Sequence, residues 1–158
     1  MKILRRVGLG LAVVVGVVLL LDTFGGMLFD GPLGPIPGGA FEGKVSPEPH
    51  PDWSRIEDVI ELEIRPENPW SLSVWGVEVD GDLYVPSASG ARRRWTPVAL
   101  ADPRVRVRTG GQIYERRIEK LEPGATRTRV LRALAQKYGF DAEDDDGSTW
   151  IFRLGPRS

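Results

Sequence analysis

The run Ser87-Ala88-Ser89-Gly90-Ala91-Arg92-Arg93-Arg94-Trp95 gathers the chain's best material for chemistry. Two hydroxyls, a glycine that admits close backbone approach and three guanidinium forks suit an oxyanion such as a phosphate. The same arginines also read as a solvated basic loop, because charge clusters commonly are. Elsewhere the options narrow. There is no cysteine in the 158 residues, which excludes disulfides, thiolate metal sites and cysteine nucleophiles. The one histidine, His50, stands between Pro49 and Pro51. A metal centre or triad built on several histidines is therefore excluded, and Ser87 and Ser89 have no imidazole to activate them. The acidic run Asp141, Glu143, Asp144, Asp145 and Asp146 reads as a solvated loop. A net charge of -1 argues against a general nucleic-acid binder.

The elements that must position the loop are mainly β. Val59 to Ile64 alternates, with Ile60, Leu62 and Ile64 on one face and Glu61 and Glu63 on the other, which predicts a half-buried strand. Trp70 to Val79 and Asp82 to Pro86 flank Asp80-Gly81, a strong signal for a type I′ hairpin. Trp75, Val77, Val79 and Tyr84 share one face of that hairpin, and Leu72, Val74, Leu83 and Val85 the other. Both faces are apolar, so one should cover a core and the other a helix or a neighbouring subunit. Trp75 is expected to be at least partly buried. Gly76 marks a bulge or a close backbone approach.

Thr96-Pro97 opens a short helix stopped by Pro103. A second hairpin runs from Arg104 to Thr109, through Gly110-Gly111, and back from Gln112. A two-residue turn there sets Arg106 opposite Glu115. Thr126 or Thr128 can cap a helix ending at Tyr138, with Gly139 as its stop and Val130, Leu131, Leu134 and Tyr138 as its apolar stripe. Trp150 to Leu154 is a last strand. The expectation is a mainly β (α+β) fold, a six-stranded split β-barrel with one or two short helices.

The N-terminus reads differently. Lys2, Arg5 and Arg6 precede an uncharged run from Val7 to Leu21, continued by Phe24, Met27, Leu28 and Phe29. No Ala-x-Ala cleavage site follows, so an uncleaved signal anchor fits better than a cleaved signal. Basic residues ahead of the span place the N-terminus inside and the domain outside the cytoplasm. Residues 31–54 are rich in proline and glycine and read as a spacer, though Phe41 and Trp53 are bulky enough to pack onto the domain. The expected organisation is an anchor over 1–29, a linker over 30–54 and a barrel domain over 55–158.

In this setting the sequence resembles the flavin-binding split barrels, the pyridoxamine-phosphate-oxidase-like and deazaflavin-dependent nitroreductase-like proteins. The resemblance rests on Val79-Asp-Gly-Asp-Leu-Tyr-Val-Pro-Ser87, on Gly90 with the basic cluster and Trp95, and on Ala99-Leu-Ala-Asp-Pro-Arg-Val-Arg-Val107. It implies that Ser87, Ser89, Arg92, Arg93, Arg94 and Trp95 hold the phosphate end of FMN or a deazaflavin, beside the strand Val105 to Thr109. Val98 stands near where the family often has an asparagine. The resemblance further implies a homodimer and an oxidoreductase whose cofactor carries the hydride, so no catalytic acid or base is required of the chain. A different reading of the same barrel is a non-catalytic extracytoplasmic module for a lipid, a tetrapyrrole or a protein partner.

Overall fold

The computed structural model describes residues 30–65 and 67–157, together with Val17. The expected anchor over 1–29 lies outside the described residues, Val17 excepted. Among the described residues no helix is long and apolar enough to cross a membrane.

Among the described residues seven strands form one antiparallel sheet: β1 (Val59–Ile64), β2 (Trp70–Trp75), β3 (Val77–Val79), β4 (Asp82–Ser87), β5 (Arg104–Thr109), β6 (Gln112–Lys120) and β7 (Trp150–Pro156). Among the described residues of the domain two α-helices accompany them, α1 (Trp95–Ala101) and α2 (Ala125–Tyr138). The spatial order is β2-β1-β5-β6-β7-β4-β3. The two edge strands, β2 and β3, are consecutive pieces of one run of chain joined at Gly76, so the sheet curls back on itself. The six expected strands become seven because Gly76 interrupts that run.

This corrects the first hairpin. Only Val77–Val79 pairs with β4, in the register Val77↔Tyr84 and Val79↔Asp82. Residues 70–75 pair instead with β1, with Val59 opposite Trp75 and Ile64 opposite Trp70. The turn itself is as expected, with φ of 55° at Asp80 and 83° at Gly81. Gly76 is the pivot. A Cβ there would come within 3.1 Å of Ile60 Cδ1, and its N–H donates to the Tyr138 hydroxyl at 2.9 Å. The second hairpin has the expected register, Thr109↔Gln112 and Arg106↔Glu115.

The core lies inside the curl. Ile60, Leu62, Ile64, Leu83, Val85, Val105, Val107, Phe152 and Leu154 are buried there with Trp53 and Trp95. The outer face of β3 and β4 is covered by α2: Val77 and Tyr84 pack on Val130, Leu131, Leu134 and Ile151. That accounts for the doubly apolar β3–β4 hairpin. Helix α2 begins at Ala125 with Gly124 at its cap position rather than either threonine, and ends at Gly139 with φ of 74°. Pro97 sits third in α1, which starts at Trp95; a missing N–H is harmless there, since the first-turn N–H groups have no partner within the helix.

Residues 30–54 do not run free of the domain. Gly38 bridges to Ser71 and Val45 to Ile113, and the Phe41 N–H donates to Glu63 Oε2 at 2.6 Å. Phe41 and Trp53 are buried, Phe41 beneath the Arg108 guanidinium at 4.5 Å. The stretch is a strap across the outer face of β1, β2 and β5. The prolines prevent a regular strand, so only isolated bridges form.

Candidate functional site

The loop after β4 is held tightly at its root. Ser89 takes the left-handed conformation, φ 62°, and a single 3-10 turn follows over Gly90–Arg92. Gly90 lies against Trp150, where an added Cβ would meet Cδ1 at 2.5 Å. Thr96, fully buried, has its hydroxyl 2.8 Å from the Gly90 carbonyl and 3.0 Å from that of Arg93. The Arg93 Nε donates to the Ala88 carbonyl at 3.0 Å. Loop and helix α1 are thus locked together while the ends of the guanidinium groups remain outside.

The six candidate residues separate into three environments. Arg92, Arg93 and Arg94 line one groove of about 420 Å³, together with Trp70, Leu72, Ser73 and strap residues 34–37. Arg94 lies over the Trp70 ring, 5.8 Å from its centroid, a cation–π arrangement. Ser89 and Arg92 border a second hollow of about 370 Å³ with Asp146, Ser148 and Trp150. Across Trp150 stands Lys120, its ammonium 4.2 Å from the ring centroid. The Asp146 carboxyl is held below the usual range first by hydrogen bonds from Ser148 and then, weakly, by the charge of Arg92. Trp95 lines the arginine groove beside Arg92–Arg94, whereas Ser87 lines neither hollow. Ser87 is buried with its hydroxyl unpartnered, and Trp95 is a core residue whose ring packs on Phe152 at 5.2 Å.

The neighbouring strand also differs from expectation. The arginine groove is walled by β2 and the strap, whereas β5 stands two places further along the sheet. Beside β5 is a separate hollow of about 380 Å³ lined by Glu63, Glu67, Arg104, Arg106, Glu115 and Arg157. Its charges are of both signs and largely satisfied. Arg104 pairs with Asp102 and Glu67, Arg106 with Glu63, and Arg157 with Glu115.

Trp70 and the strap are the components that sequence reasoning left out. By pattern alone Trp70 falls in a hairpin arm and residues 34–37 in a spacer. The available signal was a bulky aromatic directly after Pro69, where an exposed strand start has little use for one. No acid–base pair stands over the groove among its lining residues. What the arrangement offers is a flat aromatic and aliphatic wall, Trp70 and Leu72, next to three cations. That composition fits a planar ring system carrying an anionic tail: guanidinium forks take phosphate oxygens bidentately, and an aromatic face takes a ring. The donor set present therefore fits a flavin-type nucleotide without the buried Ser87.

Residues 53–148 match the model of the family described as uncharacterized protein conserved in bacteria, DUF2255. The match spans more than half of the chain, which belongs to that family. Among solved structures, the chain is similar to a Listeria innocua protein assigned as a pyridoxamine 5′-phosphate oxidase, at 16% identity over 65% of this chain and 86% of that one, with a TM-score of 0.54. It is similar to an F420-H2 dependent reductase at 19% identity over 62% and 94%, TM-score 0.53. A structure described as a domain-swapped dimer matches at 16% identity over 62% and 80%, TM-score 0.52. No curated protein matches in sequence. At these identities the likeness is one of fold: the chain has the split-barrel fold of these proteins.

Proposed function

We propose that this chain binds the phosphate-bearing tail of FMN or a deazaflavin on Arg92, Arg93 and Arg94, with the ring system against Trp70 and Leu72, and serves as an oxidoreductase of the split-barrel kind. The observation that carries the reading is the convergence of the three arginines and Trp70 on one groove of about 420 Å³. When bound, such a cofactor supplies hydride chemistry. The chain's own part is then limited and matches what is present. Arg92 and Arg94 bind the anion, Trp70 orients the rings, and strap residues 34–37 exclude water along one wall. Similarity of fold to an F420-H2 dependent reductase and to a protein assigned as a pyridoxamine 5′-phosphate oxidase supports the cofactor class. Likeness to a domain-swapped dimer supports a homodimer. The reading is tested by purifying the full chain from membranes and recording its absorbance spectrum and the mass of any extracted ligand. A flavin or deazaflavin chromophore is expected. A colourless protein that takes up neither on addition leaves the same barrel as a non-catalytic module.

The proposal includes an anchor over residues 1–29, N-terminus inside and barrel outside the cytoplasm. Lys2, Arg5 and Arg6 ahead of the apolar run support it. A periplasm-only reporter fused after Ser158 should be active; activity of a cytoplasm-only reporter there contradicts it.

A further inference from the structure

On the outer face of the barrel, strap and helix leave a gap. The strap reaches β2 as far as Ser73, whose hydroxyl donates to the Gly34 carbonyl at 3.1 Å. Helix α2 covers from Val77 onward. Trp75 lies between them, 46% exposed. Its ring stacks on Tyr138 at 4.3 Å and 6°, with Phe140 beyond at 6.5 Å and 16°. Opposite it on β1 is Val59. Val59 and Phe140 are exposed too, by 51% and 40%. Trp75 is partly buried, as expected, against Tyr138, and its outer side is open because α2 covers only from Val77 onward. An apolar group of this kind on an otherwise charged surface marks a contact.

The start of the strap says what makes that contact. Asp30 is fixed to the barrel: Arg108 Nη1 donates to its carboxylate at 2.6 Å, Arg108 Nη2 to its carbonyl at 2.9 Å, and Arg108 also pairs with Glu61. Glu61 is two residues from Val59 on the same face of β1, about 7 Å along the strand. The chain therefore leaves the barrel for its apolar N-terminal run beside Val59 and Trp75. Residues 30–54, laid on the sheet, provide no spacer. With the proposed anchor ending at Phe29, this face is the one next to the tether at Asp30.

We infer that Val59, Trp75, Tyr138 and Phe140 form a membrane-seating patch that rests in the interface of the bilayer holding the anchor. Tryptophan and tyrosine favour that depth because one part of the ring is apolar and another polar. The occupant is a zwitterionic lipid surface. Glu57, Asp58 and Asp141 adjoin the patch, and Lys137, the nearest cation, lies 3.4 Å from Asp58 and donates to the carbonyls of Ile56, Glu57 and Gly76. No cationic excess is left to recruit anionic headgroups.

The inference rests on the proposed anchor, and its test separates the two. The chain has no cysteine, so single substitutions accept a nitroxide label directly. Full-length chain carrying Val59→Cys, Phe140→Cys, Val14→Cys or Ser148→Cys is reconstituted in phosphatidylcholine vesicles, and collision with oxygen and with a water-soluble nickel complex is compared. Labels at 59 and 140 should favour oxygen, like the label at 14, while the label at 148 favours nickel. If 14 favours oxygen but 59 and 140 behave as 148 does, the seating patch is wrong and the anchor stands. If 14 also favours nickel, anchor and seat fail together. A second readout, Trp75→Ser, should lower the oxygen preference at 140 while the circular dichroism spectrum is unchanged; an unchanged preference overturns the role of Trp75.

Discussion

Arg106 and Glu63 meet across β5 and β1, and their pair also fastens the strap. They stand opposite one another in the sheet register. The Arg106 Nε donates to Glu63 Oε1 at 2.7 Å, and Nη2 donates to Oε2. That second oxygen also accepts the Phe41 N–H. Glu63 is 2% exposed, and these three donors give its buried carboxylate the partners that burial requires. Cross-strand opposition to Glu115, though present in the register, is not where Arg106 sends its hydrogen bonds.

Removing the carboxylate should therefore unfasten two things at once. Glu63→Ala leaves the Arg106 guanidinium with its main partner gone and the Phe41 N–H unsatisfied. A loss of about 3 kcal/mol or more is expected, the usual cost of breaking a buried pair from one side. Chemical denaturation of the variant measures it. Hydrogen exchange at Phe41 should rise in the same variant. A change of under about 1 kcal/mol, the size of an exposed pair, would mean that the strap and the pair do not support each other.

The Asp80-Gly81 turn gives a cleaner conformational test. A Cβ at Gly81 meets nothing within 4 Å, and φ there is +83°. The cost of Gly81→Val is thus conformational alone, about 1–2 kcal/mol. Gly81→Asn should be nearly neutral, since asparagine tolerates the left-handed region. The two melting temperatures decide it; equal values would place the strain elsewhere.

How far the sequence spoke for the fold depended on whether a signal was local. The alternation of Val59–Ile64, both two-residue turns, and the stripe of α2 were legible because each is set by neighbours in the chain. The partner of Trp70–Trp75 was not. The run looks like one hairpin arm, and only the curl of the whole sheet brings its first half to β1 while Gly76 passes the second half to β4. The strap was illegible for a related reason, since proline-rich backbone carries no periodicity to read. In the site, arginines 92–94 were legible as a cluster. Trp95 was legible as a neighbour of that cluster, since it lines the same groove; its burial against Phe152 was not, because the first turn of α1 turns most of the ring into the core. Trp70 reaches the same groove from β2, outside the loop in sequence.

Acid should loosen the strap at its first residue. The Asp30 carboxyl is held below the usual range first by the Glu42 N–H at 2.8 Å, against a small opposing effect of burial, and then by Arg108. A carboxyl lowered in the folded state stabilises it above the unfolded value and stops doing so as pH falls through the lower folded value. The loosening is therefore expected below about pH 4. It is read as movement of the Glu42 amide resonance with pH. In Asp30→Asn that resonance should start displaced at neutral pH and lack the step. A step retained in the variant would assign it to another carboxylate.

The central claim is that the arginine groove binds a flavin-type anion, and binding itself tests it most directly. Charge-assisted hydrogen bonds contribute about 1.5–3 kcal/mol each. Replacing Arg92 and Arg94 together, while keeping Arg93 because its Nε secures the loop to Ala88, should cost about 3 kcal/mol, roughly a hundredfold in Kd. Full-length chain and Arg92→Ala/Arg94→Ala are titrated with FMN and with a deazaflavin by fluorescence. The account predicts micromolar or tighter binding of one of them to the native chain and a loss of about a hundredfold in the variant. Binding of neither cofactor to the native chain, or equal binding to both proteins, would contradict it.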